Sequence, residues 1–153
     1  MESTSDTTGQ VPPVPIDRDP EASLAGLRIL IVEDMGVIVL GLRRMLDEMR
    51  CQTVGVASRL SEAKELAQTT ERLDGALLDL SLFGQNSYPV AEILHGRGIP
   101  FIIMSGFDPS YIRADLVSNA HLQKPFSHDE LARMMRCTFL PGHTVRKDDA
   151  QRK

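Results

Sequence analysis

Residues 75–82 read Gly75-Ala76-Leu77-Leu78-Asp79-Leu80-Ser81-Leu82, a short apolar run that contains one carboxylate. A run of this length without polar alternation is typical of a central strand in a parallel sheet that is covered on both faces. Aspartate is rarely buried unless it is paired or binds a ligand. If the strand ends at Asp79, this carboxylate stands at the carboxyl edge of the sheet, where open α/β sheets bind ligands. The alternative is an aspartate that only caps the following loop.

The composition is that of one globular domain with tails. The chain has 153 residues, of which 42% are hydrophobic and 25% are charged, and its formal net charge is −4. This balance gives no whole-chain reason to expect nucleic-acid or membrane partners. No apolar stretch approaches the roughly 20 residues of a membrane span, and the N-terminus lacks the apolar segment of a secretory signal. We therefore expect a cytoplasmic protein in which Cys51 and Cys137, which lack metal-ligand spacing, are reduced thiols.

Segments of strand and helix character alternate along the chain. The strand-like segments are mostly apolar and cover residues 27–32, 53–57, 75–79, 101–104 and 120–123. Apolar residues at helical spacing and capping signals predict helices at residues 36–49, 62–68, 89–95, 111–118 and 128–138. This alternation predicts an α/β fold, in which a five-stranded parallel sheet of order 2-1-3-4-5 has helices on both faces. That arrangement is flavodoxin-like.

The domain is expected to cover residues 27–138. Residues 1–26 are rich in Ser, Thr and Pro and are predicted to be a disordered tail, and residues 139–153 are predicted to be a charged tail. Both tails are too short to bury the core of an output domain.

Local signals make three further predictions. Ser61 and Ser127 each precede a helix-like segment and are expected to be its N-cap. Glu130 follows Ser127 at the spacing of a capping box. Residues 83–87 are predicted to be a polar loop.

Four predicted strands end in polar residues that could act together. The first ends in Glu33 and Asp34, the third in Asp79, the fourth in Ser105 and the fifth in Lys124. Parallel strands present their carboxyl ends at one edge, so these side chains are expected to meet there. Clustered carboxylates repel each other, and a hard divalent cation such as Mg²⁺ offsets that repulsion. An aspartate can also accept a phosphoryl group, whose oxygens a lysine and a hydroxyl could then hold.

Each of these residues also has a purely structural interpretation. Glu33 and Asp34 could form a solvated turn, Ser105 could bond its own backbone, and Lys124 could be a surface lysine. His121 fits a packed strand residue better than a metal ligand, because no second His or Cys stands near it at metal-ligand spacing.

Taken together, the strand-end motifs resemble those of response regulator receiver domains over the region from Leu27 to about Cys137. The matching motifs are Ile31-Val32-Glu33-Asp34, Leu77-Leu78-Asp79-Leu80, Met104-Ser105-Gly106 and Lys124-Pro125-Phe126. Each motif is weak alone, but their order and spacing are specific. In this family the bond corresponding to Lys124–Pro125 is often cis.

The resemblance implies a role for each strand-end residue. Asp79 would be the phosphoacceptor, Lys124 the phosphate-binding lysine and Ser105 the switch hydroxyl. The implied cofactor is Mg²⁺. Its implied ligands are Asp34, Asp79, the backbone carbonyl of Ser81 and, through a water molecule, Glu33.

Two positions depart from the usual receiver pattern. Ser105 stands where Thr is commoner, and His121 occupies the place of the aromatic switch residue. The stretches Ser105-Gly106-Phe107 and Tyr88-Pro89-Val90-Ala91 resemble a stand-alone receiver subgroup that has a Thr/Ser-Gly-aromatic motif after the fourth strand. The candidate switch residues are therefore Ser105, His121 and Phe107, with the hypothesis that Phe107 takes over part of the readout.

The resemblance implies a single-domain response regulator of a bacterial two-component phosphorelay, and not an enzyme. It would accept a phosphoryl group on Asp79 from a histidine kinase or phosphotransfer protein. It would then signal through a phosphorylation-dependent protein surface or pass the phosphoryl group on. The expected oligomeric state is a monomer or weak homodimer, with an unidentified downstream protein partner and no nucleic-acid or membrane partner.

Two other function classes stay open at this point. One is a receiver-like scaffold or adaptor that works without phosphorylation, although a scaffold would not need the acidic residues and Lys124. The other is an enzyme on a similar fold. A phosphatase of the haloacid dehalogenase type would need a second aspartate where Ser81 stands. An FMN-binding protein would need a phosphate loop where Glu33 and Asp34 would repel phosphate.

Overall fold

A five-stranded parallel sheet forms the centre of the protein. The computed structural model describes residues 22–106, 113 and 120–140. Along the chain the elements are β1 (Arg28–Val32), α1 (Gly36–Glu48), β2 (Gln52–Ala57), α2 (Leu60–Thr69), β3 (Gly75–Asp79), β4 (Ser81–Leu82), β5 (Gln85–Asn86), α3 (Tyr88–Gly96), β6 (Phe101–Ser105), β7 (Ala120–Gln123) and α4 (His128–Phe139). The strand order is β2-β1-β3-β6-β7, and all neighbours are parallel. Counted over these five strands, this is the predicted order 2-1-3-4-5, so the fold prediction is confirmed.

The sheet is covered on both faces, which explains why its central strands are uninterrupted apolar runs. Alternate residues of a strand point to opposite faces. Ile29 and Ile31 pack with apolar residues of α1 and α4, whereas Leu30 and Val32 pack with those of α2 and α3. Every residue of β3 is buried. Within the part of the chain that the structure describes, no helix has both the length and the apolar character needed to cross a membrane.

The predicted elements agree with the structure to within two residues at each end wherever the two can be compared. The helix predicted at residues 111–118 lies outside the described residues, except for Arg113.

The two N-cap predictions have different outcomes. At α4 the capping box is confirmed, because Glu130 N–H donates to Ser127 Oγ over 3.1 Å and Ser127 N–H donates to Glu130 Oε1 over 2.8 Å. At α2 the prediction that Ser61 is the N-cap is wrong. The helix begins one residue earlier, at Leu60, and Arg59 occupies the cap position without a side-chain hydrogen bond.

A carboxylate supports the first turn of α2 in place of the predicted hydroxyl. Glu62 lies in this turn, and its Oε1 accepts a hydrogen bond from the Ser58 N–H over 3.2 Å. Negative charge near a helix N-terminus also interacts favourably with the helix dipole. Glu62 therefore provides the stabilisation that the sequence pattern assigned to Ser61.

The prediction of a loop at residues 83–87 is confirmed only in part: Phe83 and Gly84 form a turn, but Gln85 and Asn86 form β5, which pairs with β4 as an antiparallel hairpin. The turn residues Phe83 and Gly84 have φ values of +49° and +81°. Positive φ at both central residues is what a two-residue type I′ turn requires. The sequence does not indicate this turn, because the first central residue of the turn is Phe83 and not the usual Asn, Asp or Gly.

Gly75 allows α4 to pack closely against the start of β3. A Cβ atom added at Gly75 would lie 2.6 Å from the buried ring of Phe139. We predict that Gly75→Ala lowers the free energy of unfolding by about 1–3 kcal/mol, because the ring must move within a packed core. Urea unfolding followed by circular dichroism measures this change.

Gly41→Ala is the matched control for this substitution. Gly41 lies inside α1, and a Cβ added there would have no neighbouring atom within 4 Å. Alanine at this position is expected to raise the free energy of unfolding by about 0.5–1 kcal/mol through its higher helix propensity. Equal effects of the two substitutions would contradict the close contact between Gly75 and Phe139.

Candidate functional site

Four of the five strands bring polar residues to the carboxyl edge of the sheet. Glu33 and Asp34 follow β1, Asp79 ends β3, Ser105 ends β6 and Lys124 follows β7. These four strands are adjacent and parallel, so their ends lie side by side. Glu33, Asp79 and Ser105 are buried, and polar side chains are buried in proteins chiefly where they have partners.

Three carboxylates form an acidic cluster at this edge. Glu33, Asp34 and Asp79 each offer one oxygen atom, and these atoms all lie within 4.8 Å of one another. At such distances ionised carboxylates repel each other strongly, above all where water is excluded. The oxygen donors and their spacing fit a hard divalent cation such as Mg²⁺, which binds carboxylate and water oxygens.

Lys124 brings a positive charge into contact with the acidic cluster. Its Nζ donates to Glu33 Oε1 over 2.9 Å and to Asp79 Oδ2 over 3.2 Å. The main chain holds the lysine in place, because Lys124 N–H donates to the Ser105 carbonyl over 2.8 Å. The peptide bond between Lys124 and Pro125 is cis, as the resemblance to receiver domains led us to expect.

The groups of this site change each other's protonation. Burial, together with the neighbouring Asp79 carboxylate, raises the pKa of Glu33 to about 7, although the Lys124 ammonium acts in the opposite direction. Burial on its own would lower the pKa of Lys124, but the hydrogen bonds and charges of Glu33 and Asp79 raise it. In this cluster three carboxyl groups face one ammonium group, an excess of acidic over basic groups. A bound divalent cation would neutralise that excess.

The hairpin of β4 and β5 donates main-chain hydrogen bonds to two of the carboxylates. Phe83 N–H donates to Asp34 Oδ2 over 2.7 Å, and Ser81 N–H donates to Asp79 Oδ1 over 3.3 Å. Such bonds fix the orientation of the carboxylates, and main-chain N–H groups of this kind can also bind phosphoryl oxygens. The predicted metal ligand at position 81 is the carbonyl of Ser81, and that role stays a prediction.

Sequence reasoning missed the contribution of Ser87. This residue precedes α3 at the N-cap position, yet its side chain does not cap the helix. The buried hydroxyl donates instead to the main-chain carbonyl of Asp79. A small polar residue before Tyr88-Pro89 signals a helix start, but no sequence pattern indicates that it turns back to Asp79.

The three candidate switch residues are in different situations. Ser105 is buried at the end of β6, and His121 is partly buried on β7, opposite Ile103 in the sheet register. Phe107 lies outside the described residues. The switch roles of Ser105, His121 and Phe107 therefore stay predictions.

The sequence and fold are similar to those of known receiver domains. The family model for the response regulator receiver domain matches residues 29–136. SdrG from Sphingomonas melonis Fr1 is 33% identical, with a TM-score of 0.64, and the match covers 72% of this chain and 93% of that one. No curated protein matches the sequence.

Two further solved structures are similar. The response regulator PhyR from Brucella abortus is 27% identical, with a TM-score of 0.63, and the match covers 72% of this chain but 46% of PhyR, so this chain spans about half of that protein. The receiver domain of the sensor histidine kinase PA1611 from Pseudomonas aeruginosa PAO1 has a magnesium ion coordinated in its active-site cleft. It is 25% identical, with a TM-score of 0.60, and the match covers 73% of this chain and 96% of that one.

The raised pKa of Glu33 predicts a specific pH dependence of stability. The folded protein holds the Glu33 proton up to about pH 7, whereas the ordinary pKa of a glutamate is 4.5. The stability that this proton provides is therefore complete below about pH 4.5 and is lost as the pH rises to about 7. We predict that, in EDTA, the free energy of unfolding of the wild type falls relative to that of Glu33→Gln by about 1–3 kcal/mol between about pH 5 and pH 8.

Urea unfolding at a series of pH values measures this difference. Glu65→Gln, on the exposed side of α2, is the matched control, and its stability should follow that of the wild type at every pH. If the curves of the wild type and Glu33→Gln run parallel, Glu33 does not hold its proton in the folded protein.

Proposed function

The chain belongs to the family of response regulator receiver domains, and on this basis we propose that Asp79 accepts a phosphoryl group from a histidine kinase or a phosphotransfer protein. Receiver domains are regulatory phosphoacceptors of two-component systems. The observation that carries the proposal is the position of Asp79, which ends the central strand in contact with Lys124 and beside two further carboxylates. The single-domain organisation and the domain boundaries inferred from the sequence stay predictions.

The proposed reaction is the attack of a carboxylate oxygen of Asp79 on the phosphorus of a phosphohistidine. A new O–P bond forms and the P–N bond breaks, and its electron pair leaves with the donor imidazole. Lys124 Nζ, which lies 3.2 Å from Asp79 Oδ2, would pair with phosphoryl oxygens as negative charge is transferred. We assign to the Ser105 hydroxyl a hydrogen bond to one of these oxygens, because Ser105 ends the strand next to β3.

Mg²⁺ is the cofactor that we propose for this site. The acidic cluster supports it, and so does the magnesium ion in the cleft of the PA1611 receiver domain. When bound, the ion supplies positive charge that offsets the carboxylates and draws phosphoryl oxygens to Asp79. The residues that would hold it are Asp34, Asp79, the carbonyl of Ser81 and, through a water molecule, Glu33.

An exposed apolar rim beside the acidic cluster supports a protein as the phosphoryl donor. Met35 directly follows the acidic pair, Val37 and Leu40 lie at the start of α1, and Phe83 lies on the hairpin. Their exposed fractions range from 53% to 72%. Met35 and Phe83 each donate a main-chain hydrogen bond to the acidic cluster. Val37 and Leu40 lie three residues apart in α1, a spacing that places them on one helix face. Exposed large apolar residues favour contact with another protein. We propose that the donor protein covers this rim while its phosphohistidine reaches Asp79.

Phosphorylation by a small donor tests the assignment of Asp79. We expect acetyl phosphate to form one phosphoryl adduct on the wild type only when Mg²⁺ is present, and intact-mass spectrometry measures it. Asp79→Asn removes the nucleophile and is expected to form no adduct. Asp47→Asn, at an exposed position of α1, should behave as the wild type. An adduct of equal yield on Asp79→Asn would contradict the assignment, and a wild type that fails with both acetyl phosphate and a cognate kinase would favour the scaffold function.

The contact of Lys124 with Asp79 predicts a slower reaction when the ammonium is removed. Lys124→Ala is expected to lower the rate of adduct formation by about ten- to a hundredfold, because charge-assisted hydrogen bonds contribute about 1.5–3 kcal/mol. Lys64→Ala, at an exposed position of α2, is the control and should keep the wild-type rate. An unchanged rate for Lys124→Ala would show that this lysine takes no part in the transfer.

A further inference from the structure

The main chain of Asp79 is joined directly to the start of α3. Ser87 is fully buried, and its hydroxyl donates a hydrogen bond to the Asp79 carbonyl. Its N–H donates to the Leu80 carbonyl over 2.9 Å. These two bonds close the base of the hairpin formed by β4 and β5. The end of β3 and the residue before α3 are therefore held together.

Ser87 is also the residue on which the first turn of α3 is built. Its carbonyl accepts hydrogen bonds from the Val90 N–H over 2.9 Å and from the Ala91 N–H over 3.2 Å. A buried hydrogen bond is costly to leave unmade. A displacement of the Asp79 main chain therefore also displaces the start of α3.

Tyr88 and Glu92 form a clamp for Arg113 on one face of α3. They are four residues apart in the helix, a spacing that places two side chains on the same face. The Arg113 N–H donates to the Tyr88 hydroxyl over 3.0 Å, and its guanidinium lies 4.9 Å from the centre of the Tyr88 ring. Arg113 Nη2 also pairs with Glu92 Oε2 at 3.0 Å. Arg113 lies between β6 and β7 in the sequence, and α3 contacts both its main-chain N–H and its side chain.

We propose that Ser87 positions Asp79 for phosphorylation, and that Tyr88 and Glu92 transmit the phosphorylation state of Asp79 to Arg113. This transmission rests on the proposed function, because its input is a phosphoryl group on Asp79. Phosphorylation adds negative charge to a cluster in which three carboxyl groups already face one ammonium group. The main chain at Asp79 is expected to shift in response to that charge. Because Ser87 is bonded to the Asp79 carbonyl and begins the first turn of α3, the shift would move Tyr88 and Glu92 as well.

The clamp provides a readout that does not depend on the aromatic switch position, where this chain has His121. It uses instead the ring and the hydroxyl of Tyr88, an aromatic residue that directly follows Ser87 and begins α3. Coupling between two sites is reciprocal. If phosphorylation of Asp79 changes the strength of the contacts between the clamp and Arg113, then loss of these contacts changes the equilibrium affinity of the site for a phosphoryl group by the same factor.

Tyr88→Phe tests the transmission, because it removes the hydroxyl that accepts from Arg113 N–H and keeps the ring. Wild type and variant are held in excess acetyl phosphate and Mg²⁺, and intact mass reports phosphorylation of Asp79. The ¹H–¹⁵N resonance of the Arg113 amide reports the clamp. We expect phosphorylation to shift this resonance in the wild type. The variant should be phosphorylated to the same extent but lose most of the shift.

The possible outcomes separate this proposal from the proposed function. If the Arg113 resonance does not move in phosphorylated wild type, or moves equally in phosphorylated Tyr88→Phe, the transmission is overturned and phosphorylation of Asp79 stands. If the wild type gains no phosphoryl adduct, the proposed function is overturned, and the transmission loses its input. The mass spectrum distinguishes these two cases.

Substitution of Arg113 tests the reciprocity of the coupling. Arg113→Ala is expected to change the beryllofluoride concentration for half-maximal occupancy of the site in Mg²⁺, a reversible equilibrium with a phosphoryl analogue, by about fivefold or more. The matched control is Arg97→Ala at the other end of α3, which removes a guanidinium that donates to the Ala67 carbonyl. It should leave that concentration unchanged. Equal values for wild type and Arg113→Ala would overturn the coupling.

Substitutions of Ser87 test its role as a positioning residue. Ser87→Ala removes the donor to the Asp79 carbonyl and is expected to slow phosphorylation. Ser87→Thr keeps the hydroxyl and should restore most of the rate, a rescue that would not follow if residue 87 served only to fill space. Equally slow phosphorylation of the two folded variants would overturn the positioning role. The variants at the partly buried residues Tyr88 and Arg113 test the transmission independently of how well the Ser87 variants fold.

Discussion

The arrangement of this protein depends on an electrostatic imbalance, in which three carboxylates are held close together against one ammonium group at the edge of the sheet. Such a cluster would disperse on a flexible chain, because each ionised carboxylate is repelled by its neighbours. Here Glu33 and Asp79 are fixed at the ends of buried strands, and Lys124 reaches both from the far strand β7. The apolar packing on the two faces of the sheet supplies the free energy that keeps these charges together.

The fold keeps the charged groups of the acidic cluster apart from the hydrophobic core. The central strands β3 and β6, and β1 from Ile29 onwards, are apolar until their carboxyl ends, so that no ionised group of the cluster interrupts the packing of either face. Besides Lys124, the carboxylates are held in orientation by the main-chain N–H groups of Met35, Ser81 and Phe83, which side-chain substitutions leave in place. Rigid strands thus fix the positions of the charged groups, and a short hairpin fixes their directions.

Sequence reasoning was sufficient for features that depend on local pattern. The apolar runs at residues 27–32 and 75–79 predicted strands, and the alternation of strands with helices predicted a parallel sheet that fits the flavodoxin-like order. The meeting of Glu33, Asp79 and Lys124 was predictable because parallel strands end at a common edge. Distances, burial and the raised pKa of Glu33 were not, because they depend on side-chain geometry that no sequence motif encodes.

The predictions that failed concern interactions between residues whose contact depends on the course of the main chain. Ser61 looked like a cap, but α2 begins before it and Glu62 supports its first turn. The hairpin at β4 and β5 was hidden because Phe83 adopts a positive φ that few aromatic residues adopt. The bond from Ser87 to the Asp79 carbonyl spans eight positions of sequence, and only the turn between them brings the two residues together.

The closure of the hairpin at its base has a consequence for how such a protein can diverge. The bond from Ser87 N–H to the Leu80 carbonyl joins β3 to α3 without using residues 81–86, which touch the acidic cluster through the N–H groups of Ser81 and Phe83. Changes of side chain at the tip therefore leave the register of the sheet intact, whereas a change of length would displace the Phe83 N–H that holds Asp34. The side chains of the hairpin can therefore vary, and with them the surface it offers to another protein, while its main-chain bonds to Asp34 and Asp79 are kept.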